Sequence, residues 1–377
     1  MRFELNPEQE QIRNMVRSLA RKEFAPKAAQ IDEQGRYPEE NFTRLAELGL
    51  LGMLYPASYG GSETGAVAFS IALAEIAGGC ASTAVGMAVN NMVGDTIFRF
   101  GNEEQRQRFL PSLASGRMAG AFALTEPTAG SDAFGISTVA VLEGDSYVLN
   151  GSKNFITNGT YAGIVIVMAV TEKKPRKRIS AFLVEPETPG FYIGKPERKL
   201  GLKGSDTVSL SFEDCRVPKR NRLESEGEGF RIAMSALDGG RIGISAQSVG
   251  IARSALEAAT GYARERRQFG QPLSGFQAIQ SMIADSATEL DAAELLAMRA
   301  AYRKDMGKAF TKEASVAKVF ASEAAYRACH RAVQIFGGYG YMREYPVERH
   351  LRDIKVTSIY EGTSEIQRVV IARNLLR

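Results

Sequence analysis

The sequence contains no tryptophan and only three cysteines, Cys80, Cys215 and Cys329, in 377 residues. The cysteines are far apart and form no Cys-x-x-Cys pair, which argues against a zinc site and against a disulfide framework. This pattern is typical of a protein from a reducing compartment. A chain of this length can bury a core large enough to be stable without metals or disulfides.

Long hydrophobic runs and an excess of one charge are also missing. The longest apolar stretches, residues 48–55 and 163–170, fall well short of the roughly 20 residues that a membrane helix needs. The 47 basic and 43 acidic residues leave a net charge of +4, which is too balanced to suggest nucleic-acid binding. The N-terminus lacks an apolar signal core. We therefore expect a soluble cytoplasmic protein with no membrane or nucleic-acid partner; a mitochondrial matrix location after loss of a transit peptide stays open.

Three regions differ in their hydrophobic period, and this difference predicts three domains. Residues 1–118 and 228–377 carry apolar residues at helical spacing, whereas residues 119–227 contain β-branched and alternating runs that are typical of strands. A helix is expected after Asn6 and Pro7, and another after Pro38. The other expected helices are residues 66–77, 81–100, 103–115, 230–265, 276–303 and 312–336. The expected strands are residues 164–170, 179–185 and 207–212, the first two joined as a hairpin by a basic loop at 171–178.

The final helix is expected to begin after a short turn that contains a carboxylate. Ser364 and Gln367 fit an S-x-x-Q capping box, which predicts a helix start after Ser364. The buried face of this helix is expected to consist of Ile366, Val369, Val370 and Leu375.

Glu361 precedes that helix, next to Gly362, whose backbone N–H is free to approach a ligand closely. A glutamate near a helix N-terminus is more often a surface residue that complements the helix dipole. Spacing alone therefore favours a surface role for Glu361 over a role in a cleft.

Five motifs occur in an order that resembles the acyl-CoA dehydrogenase family. They are residues 123–132 (ALTEPTAGSD), 150–158 (NGSKNFITN), 266–270 (RRQFG), 334–338 (QIFGG) and 360–368 (YEGTSEIQR). The resemblance covers nearly the whole chain. It implies an N-terminal α-helical domain, a middle β-barrel-like domain, a C-terminal four-helix bundle, FAD as cofactor, and a homotetramer built as a dimer of dimers.

Enzymes of this family form a 2,3-double bond in an acyl-CoA by removing an α-proton and a β-hydride. The resemblance implies that Glu361 is the base, and that a backbone N–H at position 361 or 362 binds the thioester oxygen together with a ribityl hydroxyl. Burial would raise the pKa of this base toward neutrality. Some relatives place the base instead in the stretch that corresponds to residues 237–241. Here that position is glycine, in the pair Gly239 and Gly240.

The resemblance also implies the cofactor and substrate contacts. The isoalloxazine would be lined on one side by Phe122, Leu124 and Thr125, and covered on the other by Phe155, Ile156 and Thr157. The residues implied to reach FAD of a neighbouring subunit are Arg266, Gln268, Phe269, Gln277, Gln334 and Gly338, with Thr363 and Glu365 closing the site. The residues implied to contact the CoA substrate are Ser131, Asp238, Arg241 and Gly362. Read as a helix pattern, Asp238 and Arg241 are equally consistent with a surface ion pair.

The similarity is closest to the short-chain (butyryl-CoA-type) and branched short-chain members, which implies electron transfer to an electron-transfer flavoprotein. A cyclic acyl-CoA stays open, and a dicarboxylic one is disfavoured because Thr83 stands near the position of the required arginine. The alternatives are an oxygen-using flavoenzyme of the same fold, either an acyl-CoA oxidase or a flavin monooxygenase, and a non-catalytic helical scaffold. The basic loop at 173–178 is interpreted as a solvated hairpin, with a contact to a CoA phosphate or a redox partner as the alternative.

Overall fold

The computed structural model describes residues 4–173 and 175–376, which form helices, then a sheet, then long helices. The helices are α1 (Pro7–Leu19), α2 (Ala25–Gln34), α3 (Glu39–Glu47), α4 (Gly65–Gly79), α5 (Ala81–Phe100), α6 (Glu103–Ala114), α7 (Gly229–Glu265), α8 (Gln277–Asp305), α9 (Thr311–Phe336), α10 (Pro346–Ile354) and α11 (Ser364–Leu375). The strands are β1 (Ala119–Ala123), β2 (Val139–Glu143), β3 (Ser146–Thr157), β4 (Ala162–Glu172), β5 (Arg178–Val184), β6 (Phe191–Ile193), β7 (Thr207–Pro218), β8 (Arg222–Leu223), β9 (Arg267–Gln268) and β10 (Gln271–Pro272). None of the helices in the described part of the chain is long and apolar enough to cross a membrane.

The N-terminal helices begin where their capping residues predict. Asn6 accepts a hydrogen bond from the Gln9 N–H at 2.8 Å, and the Gln9 side chain accepts one from the Asn6 N–H at 3.0 Å, so both ends of a capping box are present. Pro38 is the cap of α3, as expected. Helix α2 was not predicted, because the π-helical turn Ala20–Phe24 joins it to α1 and interrupts the hydrophobic period.

The middle region is one eight-stranded sheet with the order β6-β7-β3-β2-β4-β5-β8, and β1 adds to β4. Strands β4 and β5 pair antiparallel, which confirms the predicted hairpin. Strand β1 runs parallel to β4, and Leu124 and Ala129, which follow it, belong to a core cluster shared with α5 and α6. The sheet therefore positions the 123–132 segment between the middle and helical domains.

The C-terminal bundle is built on α7, which extends over 37 residues and packs against α4, α8 and α9. Its buried face is rich in alanine and glycine, so the helix axes approach closely. A Cβ on Gly250 would lie 2.0 Å from the Ala74 carbonyl oxygen of α4, so only glycine permits this contact. The predicted long helices are confirmed to within a few residues at each end; α10 was not predicted.

Two expectations for the last helix are wrong. The cap of α11 is Thr363, whose hydroxyl accepts a hydrogen bond from the Ile366 N–H at 3.3 Å, so Ser364 is already inside the helix. The predicted buried face is also absent: Val369 and Leu375 are exposed, and the buried residues of α11 are Ser364 and Gln367. The helix packs mainly through its first turns against α9, because its polar side chains are needed there to bind the preceding turn.

Candidate active site

Glu361 lies on a left-handed turn that enters α11. Its φ is 55° and that of Gly362 is 89°; the left-handed conformation disfavours a non-glycine residue by about 1–2 kcal/mol. The Gln367 side-chain amide donates to the carbonyl oxygens of Glu361 (3.2 Å) and Gly362 (2.9 Å). Lys318 Nζ donates to the Gly362 carbonyl at 2.8 Å, and Arg241 Nε lies 3.5 Å from that of Glu361. Donors from α7, α9 and α11 thus hold the strained turn in place.

The carboxylate of Glu361 lies directly against α7. A Cβ built on Gly240 would come within 2.5 Å of Glu361 Oε2 and 2.9 Å of its Cδ. The alternative base position implied by the resemblance falls within residues 237–241, and the fold brings Gly240 of that stretch against Glu361. Gly240 is therefore the residue that leaves room for the Glu361 carboxylate.

One oxygen of the Glu361 carboxylate is buried and unbonded, while the residue as a whole is half-buried. Its Oε2 accepts no hydrogen bond from any described residue. Burial raises the pKa of Glu361 to about 7, although the positive charges of Arg241 and Lys318 oppose the rise. A carboxylate whose pKa lies near the working pH is suited to act as a general base, and the burial of Oε2 argues against a simple surface role for Glu361.

Tyr360 fixes the chain on the other side of Glu361. Its hydroxyl donates to Gln247 Oε1 of α7 at 2.6 Å, and burial raises its pKa, so it stays protonated. Neither Gln247 nor Lys318 is among the site residues predicted from the sequence. The signal for Lys318 was available, because it stands among alanines on the buried stripe of α9 (Ala314, Ala317 and Ala321).

Glu126, the acid of the Thr-Glu-Pro motif, forms a buried ion pair that was not predicted from the sequence. Lys153 Nζ donates to Glu126 Oε1 at 2.7 Å and to the Leu124 carbonyl at 3.1 Å. Glu126 also accepts hydrogen bonds from Ser137 and Thr138. Burial alone would raise the pKa of Glu126, but Lys153 and these donors lower it to about 2. The pair fixes the segment after β1 against β3.

Only some of the side chains that were expected to line the flavin are exposed around the end of β1 and along β3. The Asn154 N–H donates to the Thr125 carbonyl at 2.9 Å, so Thr125 lies beside the β3 segment that contains Phe155 and Thr157. Phe155 is 64% exposed and left-handed (φ 59°), which leaves its ring free to stack on a ligand. The prediction that Ile156 covers the isoalloxazine is wrong for its side chain. This side chain is buried within the core of the sheet and cannot cover a cofactor.

Leu124 is nearly buried in the core between α5, α6 and the sheet, and Phe122 packs against the same core. Apart from the half-buried Phe122, the predicted flavin-lining side chains that reach the surface are therefore Thr125 on one side and Phe155 and Thr157 on the other.

The residues implied to reach a neighbouring subunit are exposed. Phe269 stands at the tip of the β9–β10 hairpin with 94% exposure and a left-handed φ of 50°. The other exposed members of this set are Arg266, Gln268, Gln277, Gln334 and Gly338. The Arg266 guanidinium lies 5.6 Å from the centre of the Tyr339 ring, which joins the hairpin to the glycine-rich turn after α9. Beyond the residues next to it in the chain, no described atom lies within 4 Å of a Cβ built on Gly338, so this outer surface is open to a ligand.

Asp238 and Arg241 form an ion pair, but it is not on the surface. Arg241 Nη1 lies 2.6 Å from Asp238 Oδ1, and the Arg241 side chain is only 5% exposed. The Thr311 hydroxyl donates to the other Asp238 oxygen. Burial raises the pKa of Asp238 despite these partners. The pair therefore belongs to the buried surroundings of the Glu361 turn.

Ser131 is exposed on the loop after β1, and part of the basic loop packs nearby. Lys177 Nζ donates to the Phe134 and Ile136 carbonyls of that same loop, the second at 2.7 Å. Arg178 donates to the Glu226 carbonyl at 2.6 Å. The interpretation as a solvated hairpin is therefore wrong for Lys177, which is bound to the neighbouring loop, but it agrees with the exposure of Lys173, Arg176 and Arg178; Lys174 lies outside the described residues.

The cavity of about 840 Å³ between α2, α3 and the sheet is a different feature. It is lined by Tyr37, Tyr161 and Lys199, among others, and includes none of the predicted site residues.

Comparison with known proteins agrees with this geometry. Models of the N-terminal, middle and C-terminal domains of acyl-CoA dehydrogenase match residues 6–117, 121–215 and 227–376. The human mitochondrial short-chain specific acyl-CoA dehydrogenase is 50% identical over 376 residues, which cover 99% of this chain and 91% of that protein. The chain therefore belongs to the acyl-CoA dehydrogenase family.

Solved structures give the same result. Butyryl-CoA dehydrogenase from Megasphaera elsdenii is 44% identical and superimposes with a TM-score of 0.98 over 100% of both chains. A chain from a structural study of the electron transferring flavoprotein of Acidaminococcus fermentans is 46% identical, also with a TM-score of 0.98 over 100% of both chains. The predicted family, three-region fold, oxidoreductase class and FAD dependence are confirmed.

Proposed function

We propose that this chain forms the 2,3-double bond of a short-chain acyl-CoA, straight or branched, with Glu361 as the base. The observation that carries the proposal is the buried Glu361 Oε2, which has no hydrogen-bond donor among the described residues and lies against Gly240. With a pKa of about 7, the carboxylate is partly ionised at neutral pH. Protonation by the substrate leaves a neutral carboxyl group, which the buried site favours.

The backbone beside Glu361 is suited to polarise the thioester. The N–H groups of Glu361 and Gly362 donate no backbone hydrogen bond to a described residue, so both are free for the substrate carbonyl oxygen. Donors placed where negative charge develops lower the barrier to proton removal. FAD, when bound, accepts the hydride that leaves the β-carbon.

The open surfaces on this chain fit a bound FAD. Thr125 on one side, and Phe155 with Thr157 on the other, offer two hydroxyls and an exposed ring, which suit an isoalloxazine, while Phe122, Leu124 and the Ile156 backbone would support it. Phe269 and its exposed neighbours would bind FAD of a second subunit, because a phenylalanine that is 94% exposed needs a partner to cover it. We therefore propose the homotetramer, a dimer of dimers, with Thr363 and Glu365 closing each site.

The substrate CoA would pass Ser131, Gly362 and the buried Asp238–Arg241 pair. Arg241 offers guanidinium donors in a fixed position because Asp238 holds it. An electron-transfer flavoprotein is the proposed acceptor, and it is the kind of protein that the Acidaminococcus fermentans study concerns. A cytoplasmic location stays a prediction from the sequence.

The test is Glu361→Gln in the FAD-loaded enzyme, mixed anaerobically with butyryl-CoA while the oxidised flavin band is followed. We expect normal FAD content and substrate binding, and a rate of bleaching lower by at least about 10²–10⁴-fold. Glu323→Gln on the exposed side of α9, where Glu323 pairs with Arg368, is the matched control and should bleach at the wild-type rate. Near-normal bleaching by Glu361→Gln would refute the assignment, and rapid peroxide release in air would favour the oxidase alternative.

A further inference from the structure

Lys318 is a buried cation in the middle of α9. Its side chain is fully buried, and its Nζ donates to one neutral acceptor, the Gly362 carbonyl, at 2.8 Å. No carboxylate oxygen of a described residue lies within 4 Å of it, whereas the other fully buried lysine, Lys153, has Glu126 at 2.7 Å. Burying an ammonium without a carboxylate partner is unfavourable, so this arrangement needs a reason beyond packing.

The reason lies in the turn that Lys318 contacts. We propose that Lys318 is the positioning residue of the base: it holds the Gly362 carbonyl, and with it the left-handed turn of Glu361, while its positive charge favours the ionised carboxylate that accepts the proton. This inference rests on the proposed role of Glu361. Lys318 does not touch the reacting atoms and acts only through that carboxylate.

Of the two cations near Glu361, Arg241 and Lys318, only Lys318 has no carboxylate partner among the described residues. On α7, Arg241 is also close, but Asp238 pairs with it at 2.6 Å and offsets its charge. Among the described residues, the other titratable groups that face this region are Tyr360, which stays protonated, and the more distant carboxylates Glu323 on α9 and Glu365 on α11, of which Glu323 is bound by Arg368. Burial lowers the pKa of Lys318 to about 8, with Glu361 the largest opposing influence, so Lys318 is still mostly charged at neutral pH.

Gln367 provides a way to separate the two proposed effects of Lys318, its hydrogen bond to the turn and its positive charge. Its amide donates to the same Gly362 carbonyl at 2.9 Å, but it is neutral. If Lys318 only held the turn, loss of Lys318 and loss of Gln367 would have the same kind of effect. If its charge also matters, loss of Lys318 alone will change the ionisation of Glu361.

The experiment compares Lys318→Met, Lys318→Arg and Gln367→Met as FAD-loaded enzymes. The readouts are the acid limb of the pH profile of kcat/KM, and the infrared band of the protonated Glu361 carboxyl, taken as the difference from Glu361→Gln in each background. We expect Lys318→Met to shift both to higher pH by about one unit or more, a tenfold change in the ionisation equilibrium. Lys318→Arg should restore the wild-type position, and Gln367→Met should lower kcat without a shift.

An unshifted infrared titration in Lys318→Met would overturn the inference, as would equal shifts in Lys318→Met and Gln367→Met. Lys318→Gln is the second neutral variant, in case the methionine is not accommodated; it retains a donor for Gly362 and must show the same shift. Because the infrared titration needs no turnover, it separates failure of this inference from failure of Glu361 as the base.

Discussion

Replacing Gly240 by alanine should damage catalysis while leaving the fold intact. The added Cβ would meet Glu361 Oε2 at 2.5 Å, whereas ordinary contacts begin at 3.4 Å. The carboxylate is the far end of a flexible side chain, so it can move aside by about 1 Å with little loss of stability. A displacement of that size from the reactive position can reduce a rate by about 10²-fold, which corresponds to about 2.7 kcal/mol of activation free energy.

Gly239→Ala is the matched control on the same helix. The nearest described atom to its added Cβ is Lys304 Nζ, at 3.5 Å, which is an ordinary contact. Both substitutions should raise helix propensity, by up to about 1 kcal/mol each. We therefore expect both variants to melt at or above the wild-type temperature, but only Gly240→Ala to lose activity.

The assay is the anaerobic bleaching of bound flavin by butyryl-CoA in a rapid-mixing instrument, with FAD content and melting temperature measured in parallel. Gly239→Ala should bleach within a few-fold of wild type. If Gly240→Ala reacts as fast as Gly239→Ala, the Glu361 carboxylate does not act from the position that it occupies against α7.

Two further predictions concern the cofactor surfaces. Glu126→Gln leaves Lys153 buried without its anion, which should destabilise the protein by about 3–5 kcal/mol and weaken FAD retention, measured by thermal melting and flavin release. In the wild type, the folded-state pKa of Glu126 lies below the unfolded value, so its stabilisation is present above pH 4.5 and is lost as pH falls toward 2; an acid titration in which Glu126→Gln loses as much stability as wild type over that range would contradict this. Phe269→Ser should leave the protomer folded but reduce FAD content and subunit association, measured by absorbance and analytical ultracentrifugation; an unchanged tetramer with full FAD would show that the hairpin tip is not an interface.

The helices and strands that carry the site follow from local sequence. The Asn6–Gln9 capping box predicts α1, and alternation along β7 predicts a strand, because these signals depend on neighbouring residues. The final helix shows the limit of such signals. Thr363 and Ser364 are both good caps, and only the position of Gln367 against the Glu361 and Gly362 carbonyls decides between them.

Glu361 shows the same division between local sequence and tertiary structure. The sequence alone determined that a carboxylate stands on a glycine-containing turn before a helix, and the order of its motifs determined the family. Only the tertiary structure decided that Gly240, 121 positions earlier in the chain, makes room for that carboxylate, and that Lys318 binds the turn from α9. Both contacts join residues far apart in sequence, so they depend on how α7, α9 and α11 pack, which no local pattern encodes.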